Sequence, residues 1–246
     1  MDRLLYNSTL GASNIERALS VRAHNLANVA TTGFRADYAQ AQAFWAEGDG
    51  HPVRAYGLTQ IPGVDFRQGT LMQTGRELDV AVKGEGFLAV QTESGGEAYT
   101  RAGDLQVDEL GRLLDREGQQ VLGDTGPIAL PPFDRVYIGS DGGISVQPEG
   151  QSPETLVQVG RLKLVNPDTA DLSKDGAGRI VRSDGGIEAP DAAVEVVAEF
   201  LESSNVSAVS ELTEILSLAR QFEVEVRMMR TAQENDEAAS SLLRLG

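Results

Sequence analysis

Apolar residues recur every seven positions at both ends of this chain. Near the start, Leu5, Ala12, Leu19 and Leu26 form one row, and Ser8, Ile15, Arg22 and Val29 lie three places after them. Near the end, Leu212, Ala219 and Val226 repeat the spacing, with Ile215, Phe222, Met229 and Leu243 three places after such positions. Both patterns put apolar side chains along one side of a helix, as in the a/d seam of a coiled coil. Gln233 and Asp236 interrupt the second seam before Leu243 resumes it. Helix breakers are confined elsewhere: all nine prolines lie between Pro52 and Pro190, and every glycine except Gly11 and Gly246 lies between residues 30 and 200. A helix of about forty residues would be roughly 60 Å long, too long to bury its seam within a compact domain of this size. The terminal helices are therefore expected to pair with one another, or with copies of themselves in neighbouring subunits.

The middle of the chain has a different period. Ala30-Thr31-Thr32-Gly33-Phe34 stops the first helix, with Gly33 suited to a left-handed backbone. Residues 35–77 are Ala-rich from Ala36 to Ala46 and then carry Pro52, Pro62, Gly57, Gly63 and Gly69, which predicts a short helix followed by extended connections. From Leu78 the pattern alternates. Leu78 to Val82 and Phe87 to Gln91 are strands, joined across Gly84-Glu85-Gly86 in a hairpin turn. Short segments follow at Ala98 to Arg101, Leu105 to Val107, Arg112 to Asp115, Val121-Leu122, Val136 to Ile138, Ile144 to Gln147, Leu156 to Leu164 and Arg179 to Arg182. Such strands, bounded by Gly, Asp or Pro, argue for an antiparallel sandwich or barrel. Ser-Asp-Gly-Gly-Ile occurs at Ser140 to Ile144 and again at Ser183 to Ile187, where Asp-Gly favours tight turns. Past Asp191 the chain is helical or extended, and Ser203, Ser204 and Asn205 are the candidate N-caps of the last helix. The fold class is α+β: an antiparallel β-rich central domain flanked by N- and C-terminal coiled-coil helices. The divisions are 1–34, N-terminal helix; 35–77, connecting segment; 78–190, β-rich domain; 191–204, return linker; and 205–246, C-terminal helix.

Composition narrows the function. The net charge of −16 sits mainly in the middle, where residues 31–200 hold 14 Lys/Arg against 27 Asp/Glu. That acidity disfavours nucleic acid and anionic lipid as partners. The chain has no cysteine, which excludes disulfides and thiol catalysis and fits work outside the reducing cytosol. Its first residues turn polar before a signal-type apolar run develops, and no stretch approaches 18 apolar residues. Neither a cleaved signal nor membrane insertion is expected.

Candidate chemistry is thin. Gly84-x-Gly86-x-x-Ala89 superficially matches a dinucleotide fingerprint, but Leu88 to Thr92 runs into Ser94-Gly95-Gly96, too short for the helix that would hold a pyrophosphate. His24 and His51 lack a second histidine at ligand spacing, and the Asp-Gly turns lack the ligand ladder of an EF-hand. No catalytic residue, cofactor or metal site is expected. What remains is architecture: helices with apolar seams around an acidic β domain, which is what an assembly subunit needs. A head-to-tail contact that does not close on itself builds a filament. The alternative is a secreted β-domain enzyme or binding module with oligomerisation arms.

Ala23 to Phe34 resembles the N-terminal signature of the bacterial flagellar axial proteins, the family of rod and hook subunits, with His24 where that family usually has Asn. Leu78 to Val90, Tyr99 to Leu114 and Leu201 to Val206 are similar to further family stretches, while residues 125–195 match loosely. Within the family, the opening Met1 to Tyr6, Ala219 to Glu223 and Thr231 to Asp236 are most similar to proximal rod subunits, with distal rod next and hook third. The resemblance implies a structural, non-enzymatic part of the basal-body drive shaft in the periplasm, exported by the flagellar type III apparatus without a cleaved signal. Its partners would be other flagellar rod proteins and copies of itself in a helical assembly. It also implies that the helices form the inner tube around the export channel and that the β domain lies outside. The expected assembly interface combines Leu5, Ala12, Ile15, Leu19, Leu26, Val29, Leu212, Ile215, Ala219, Phe222, Val226, Met229 and Leu243 with Asn25 and Asn28 of the signature.

Overall fold

The seven-residue spacing near the N-terminus folds as helix α1 (Asp2–Ala27), and the long proline-free stretch near the C-terminus folds as α2 (Ala208–Leu243). The computed structural model describes residues 2–45, 55–151 and 155–243, and these fall into two compact units. One comprises the described residues of Met1–Val29, Ala36–Asp65 and Val206–Gly246; the other comprises Ala30–Arg35 and Phe66–Asn205. His51 and Pro52, and the side chain of Leu243, lie outside the described residues.

In the first unit α1 and α2 pack against each other in opposite directions. Arg22 Nη1 donates to Glu211 Oε1 at 3.1 Å, while Thr9 Oγ1 lies 3.6 Å from Met229 Sδ at the other end. Small residues allow the close approach. Ser8, Ala12 and Ala232 are buried, and a Cβ added to Gly11 would stand 3.0 Å from Glu225 Oε1. The remainder of this unit is an antiparallel hairpin of β1 (Asp37–Trp45) and β2 (Ala55–Val64), which packs on α1.

That hairpin replaces the short helix expected within Ala36 to Ala46. Alanine content suggested helix, but Ala39, Ala41 and Ala43 alternate with Gln40, Gln42 and Phe44, a period of two that suits a strand. Tyr38 pairs with Gly63 and Gln40 with Gln60, so Ile61 and Pro62 together face the single residue Ala39. Pro62 thus falls at a bulge, where its missing N–H costs no ladder bond.

The second unit is built of short strands: β3 (Leu71–Gln73), β4 (Val80–Lys83), β5 (Phe87–Gln91), β6 (Glu97–Thr100), β7 (Gln106–Val107), β8 (Leu113–Leu114), β9 (Gln120–Gly123) and β10 (Gly126–Pro127). They continue as β11 (Phe133–Ile138), β12 (Gly143–Pro148), β13 (Val157–Arg161), β14 (Leu164–Val165), β15 (Leu172–Lys174), β16 (Ile180–Arg182), β17 (Glu195–Ala198) and β18 (Phe200–Glu202). Every strand pairing among the described residues is antiparallel. The main sheet runs β15-β16-β6-β5-β9-β8-β7, with β10 beside β9 and β14 beside β5. β11, β12 and β13 form a second sheet, and the pairs β4–β17 and β3–β18 stand apart.

β5 explains the core. Leu88 and Val90 enter a large apolar cluster with Val80, Leu113, Val146 and Leu164, while Phe87 and Ala89 enter a second cluster with Tyr99, Val165 and Ile180. A strand covered on both faces must be apolar at consecutive positions, and Phe87-Leu88-Ala89-Val90 is.

Four expectations are corrected by this geometry. Gly84 and Gly86 do adopt positive φ, but β4 pairs with β17 and β5 with β6, β9 and β14, so the turn joins strands that do not pair with each other. Leu156 to Leu164 divides into β13 and β14, which belong to different sheets. α2 begins at Ala208, later than a cap at Ser203, Ser204 or Asn205 requires, because those residues lie in the connection described below. α1 ends at Ala27, and Gly33, although left-handed with φ 67°, is not its cap.

Candidate assembly interface and the buried stem

α2 is apolar on more than one side. Ile215, Phe222 and Met229 are half-buried, as are Ala219 and Val226, and Ala232 is buried. At about 100° per residue these lie on the flank facing α1. Val209, Leu212, Leu216 and Val224 project elsewhere around the helix and remain 76%, 50%, 61% and 52% exposed. At 36 residues and 1.5 Å per residue, α2 is about 54 Å long, and these four open apolar residues lie in its first half on a side they share with Arg220 and Glu223. On α1, Ala12 is buried and Ile15, Leu19 and Leu26 are half-buried, as is Val29 just beyond its end, whereas Leu5 is exposed. Thus Leu5 and Leu212 are open, and the other described apolar seam positions are at least half-buried within the chain.

The signature residues are used inside the chain. Asn25 is fully buried; its Nδ2 donates to Asp37 O and its Oδ1 accepts from Asp37 N, both at 2.8 Å. A side-chain amide therefore brackets the backbone N–H and C=O of one residue in the manner of a neighbouring strand, fixing where β1 begins relative to α1. His24 Nδ1 lies 2.9 Å from Asp37 Oδ2, and Asn28 Nδ2 donates to His24 O at 3.0 Å. Asn25 is consequently an anchor within the first unit, with no surface left for another molecule.

In the second unit, segments quoted separately from the sequence meet around one carboxylate. Glu202 Oε1 accepts from Arg35 Nη2 and from Gly69 N, each at 2.7 Å, and Oε2 accepts from Arg101 Nη1 at 3.1 Å. Arg35 and Glu202 are each 1% exposed. Arg101 also donates to Val82 O at 3.2 Å and Gly84 O at 2.6 Å, and its guanidinium lies 5.3 Å from the Phe87 ring centre. Burial lowers the Arg101 pKa, and the Glu202 charge opposes that shift. Lys174 Nζ donates to Arg35 O at 2.7 Å and sits 4.4 Å from the Phe34 ring centre.

Backbone contacts complete this stem of residues 30–35, 67–73 and 199–205. Gly33 N donates to Glu202 O at 2.8 Å, and a Cβ at Gly33 would stand 2.2 Å from the Arg101 carbonyl carbon, which is why only glycine fits. Ser203 N donates to Thr70 O, and Thr70 N donates to Ser203 Oγ. Asn205 donates from its backbone to Phe34 O and from Nδ2 to Arg67 O. Sequence reasoning missed Arg35, Gly69, Arg101 and Glu202 as a group. The available signal was a charge inside each of two motifs, Tyr99-Thr100-Arg101-Ala102-Gly103 and Leu201-Glu202-Ser203-Ser204-Asn205, yet nothing in the spacing says that they meet.

The described residues contain no cluster of three or more His, Asp or Glu suited to a metal ion. No described helix is long and apolar enough to cross a membrane.

Residues 81–146 match the family described as flagellar hook protein FlgE/F/G D1 domain, and residues 197–242 match flagellar basal body rod FlgEFG protein C-terminal. The flagellar basal-body rod protein FlgF of Escherichia coli (strain K12) is 36% identical over 251 residues, covering 100% of both chains. FlgF of Caulobacter vibrioides is 31% identical over 253 residues, with 100% of this chain and 99% of the relative covered. FlgG of Bacillus subtilis (strain 168) is 30% identical over 256 residues, with 95% and 96% covered. The chain belongs to the family of flagellar basal-body rod proteins that includes FlgF.

Proposed function

We propose that the chain is a structural subunit of the flagellar rod, of the FlgF kind, that joins copies of itself and other rod proteins through α1 and α2. The observation that carries this reading is the second apolar side of α2, at Val209, Leu212, Leu216 and Val224, which the chain leaves exposed. Covering such a stripe with a like helix buries apolar surface without a new specificity device. Repetition of the contact from subunit to subunit gives a polymer. Leu5 and Leu212 serve contacts between molecules, whereas Ala12, Ile15, Leu19, Ala219, Phe222 and Met229 first serve the helix pair within one. In this reading the β-rich unit has no catalytic task, and the chain reaches the basal body by the flagellar export route.

The test is a full-length Leu216→Asp, Val224→Asp variant. Both positions are exposed in the isolated chain, so its thermal unfolding should match the parent protein. The variant should be absent from purified basal bodies and should not restore motility to cells lacking the parent gene. Normal incorporation and motility would overturn the reading.

A further inference from the structure

We infer that residues 200–205 form a strap that opens and closes about Glu199 while the β core of the same unit stays folded. Glu199 has φ 64°, the only positive φ at a non-glycine residue among the described residues. It therefore makes a left-handed kink that side-chain-bearing residues seldom adopt, placed between β17 and β18. The two sides of the kink are held differently. Before it, Val194 and Val196 are buried in the main apolar cluster. After it, β18 pairs only with β3, whose Leu71, Met72 and Gln73 are all exposed.

What holds the strap down is polar. Glu202 contacts Arg35, Arg101 and Gly69 N; Ser203 exchanges bonds with Thr70; Asn205 reaches Phe34 O and Arg67 O. The charge cluster joins residues separated in sequence by 167, 101 and 133 positions. A buried ion cluster gains little net stability, because desolvation offsets attraction. Arg35 Nε and Nη1 and Arg101 Nε also find no hydrogen-bond partner among the described residues, which weakens the closed state further. Opening breaks the cluster and uncovers the half-buried Phe200 and Leu201, which belong to neither apolar cluster, so its free energy lies below that of unfolding the core. The strap is thus a separable element, and its closure orders residues 30–35 and 67–73 together.

Native-state hydrogen exchange of the full-length protein tests this. The amides of Gly33, Gly69 and Ser203, which donate to Glu202 Oε1, Glu202 O or Thr70 O, should share one opening reaction. They should exchange at least about tenfold faster than the core amides of Ala89 and Lys163, a gap of about 1.4 kcal/mol. Ser203→Ala, which removes the acceptor for Thr70 N, should raise the first group severalfold and the core amides by no more than that factor. Glu202→Gln should do the same more strongly. If Glu202→Gln fails to fold, the parent protein and Ser203→Ala still decide. Exchange of both groups at one common rate in the parent protein, or no acceleration of the first group by Ser203→Ala, would overturn the inference.

Discussion

Leu88 and Glu202 are both 1% exposed, and each stands at the centre of its own region of the larger unit, yet they hold those regions by different means. Around Leu88, alternation along β5 supplies two apolar clusters, and any well-shaped apolar side chain could contribute. Around Glu202, segments far apart in sequence are joined by directional contacts to one carboxylate, and no other residue could satisfy two guanidiniums and a backbone amide together. The core supplies stability, and the stem supplies position. Its contacts fix residues 30–35 and 199–205, through which the chain enters and leaves the unit.

Breaking the stem should have the largest effect. Glu202→Ala leaves Arg35 and Arg101 buried without a counter-charge, and removal of one member of such a cluster costs roughly 3–5 kcal/mol. Urea denaturation should show that loss in the unfolding midpoint. Replacing all three as Arg35→Met, Arg101→Met and Glu202→Leu should recover most of it; if the triple variant is as unstable as the single one, unpaired charge is not the cause. In the core, Leu88→Ala should cost about 2–5 kcal/mol by leaving a cavity. Arg101 bridges the regions at Val82 O and the Phe87 ring, so the combined loss should fall short of or exceed the sum only by what that bridge carries; strong non-additivity would merge the regions into one.

The smallest effect concerns Asp115, whose carboxyl is pushed up from 3.8 to about 6, first by burial and then by the charges of Glu117 and Asp104. The folded protein binds that proton more tightly than the unfolded chain does. Stability from this group is therefore fullest below 3.8, falls as pH rises towards about 6, and stays lower above it. Asp115→Asn keeps an oxygen for Gln119 N and removes the charge, so it should stabilise the protein at pH 7 by about 1–3 kcal/mol and flatten the pH profile. Unfolding curves at pH 4 and pH 7 would check both signs.

The regions also differ in how far the sequence reveals them. Alternating segments such as Phe87 to Gln91 and Ile144 to Gln147 are visible because a buried strand leaves a local period. The α1 seam is visible for the same reason. The β1–β2 hairpin was obscured because alanine favours helix while its alternation favours strand, and pairing with β2 decides between them. The partners of β4 and β18 are set by contacts more than a hundred residues away, which local pattern does not encode. For the candidate interface, Leu5 and Leu212 are open as a contact surface would be, but Asn25, which shares only a motif with that surface, is spent on Asp37. Exposure of Val209, Leu216 and Val224 could not be read from a heptad seam, because it depends on which side of α2 is covered by α1.

The central claim is that the uncovered side of α2 is the surface by which this chain enters the rod. A density map of intact basal bodies with the chain traced along the axis tests it directly. The expected result is a helix of a neighbouring subunit packed over Val209, Leu216 and Val224. Finding that side of α2 open to solvent, with all contacts made by the β-rich unit, would contradict the claim.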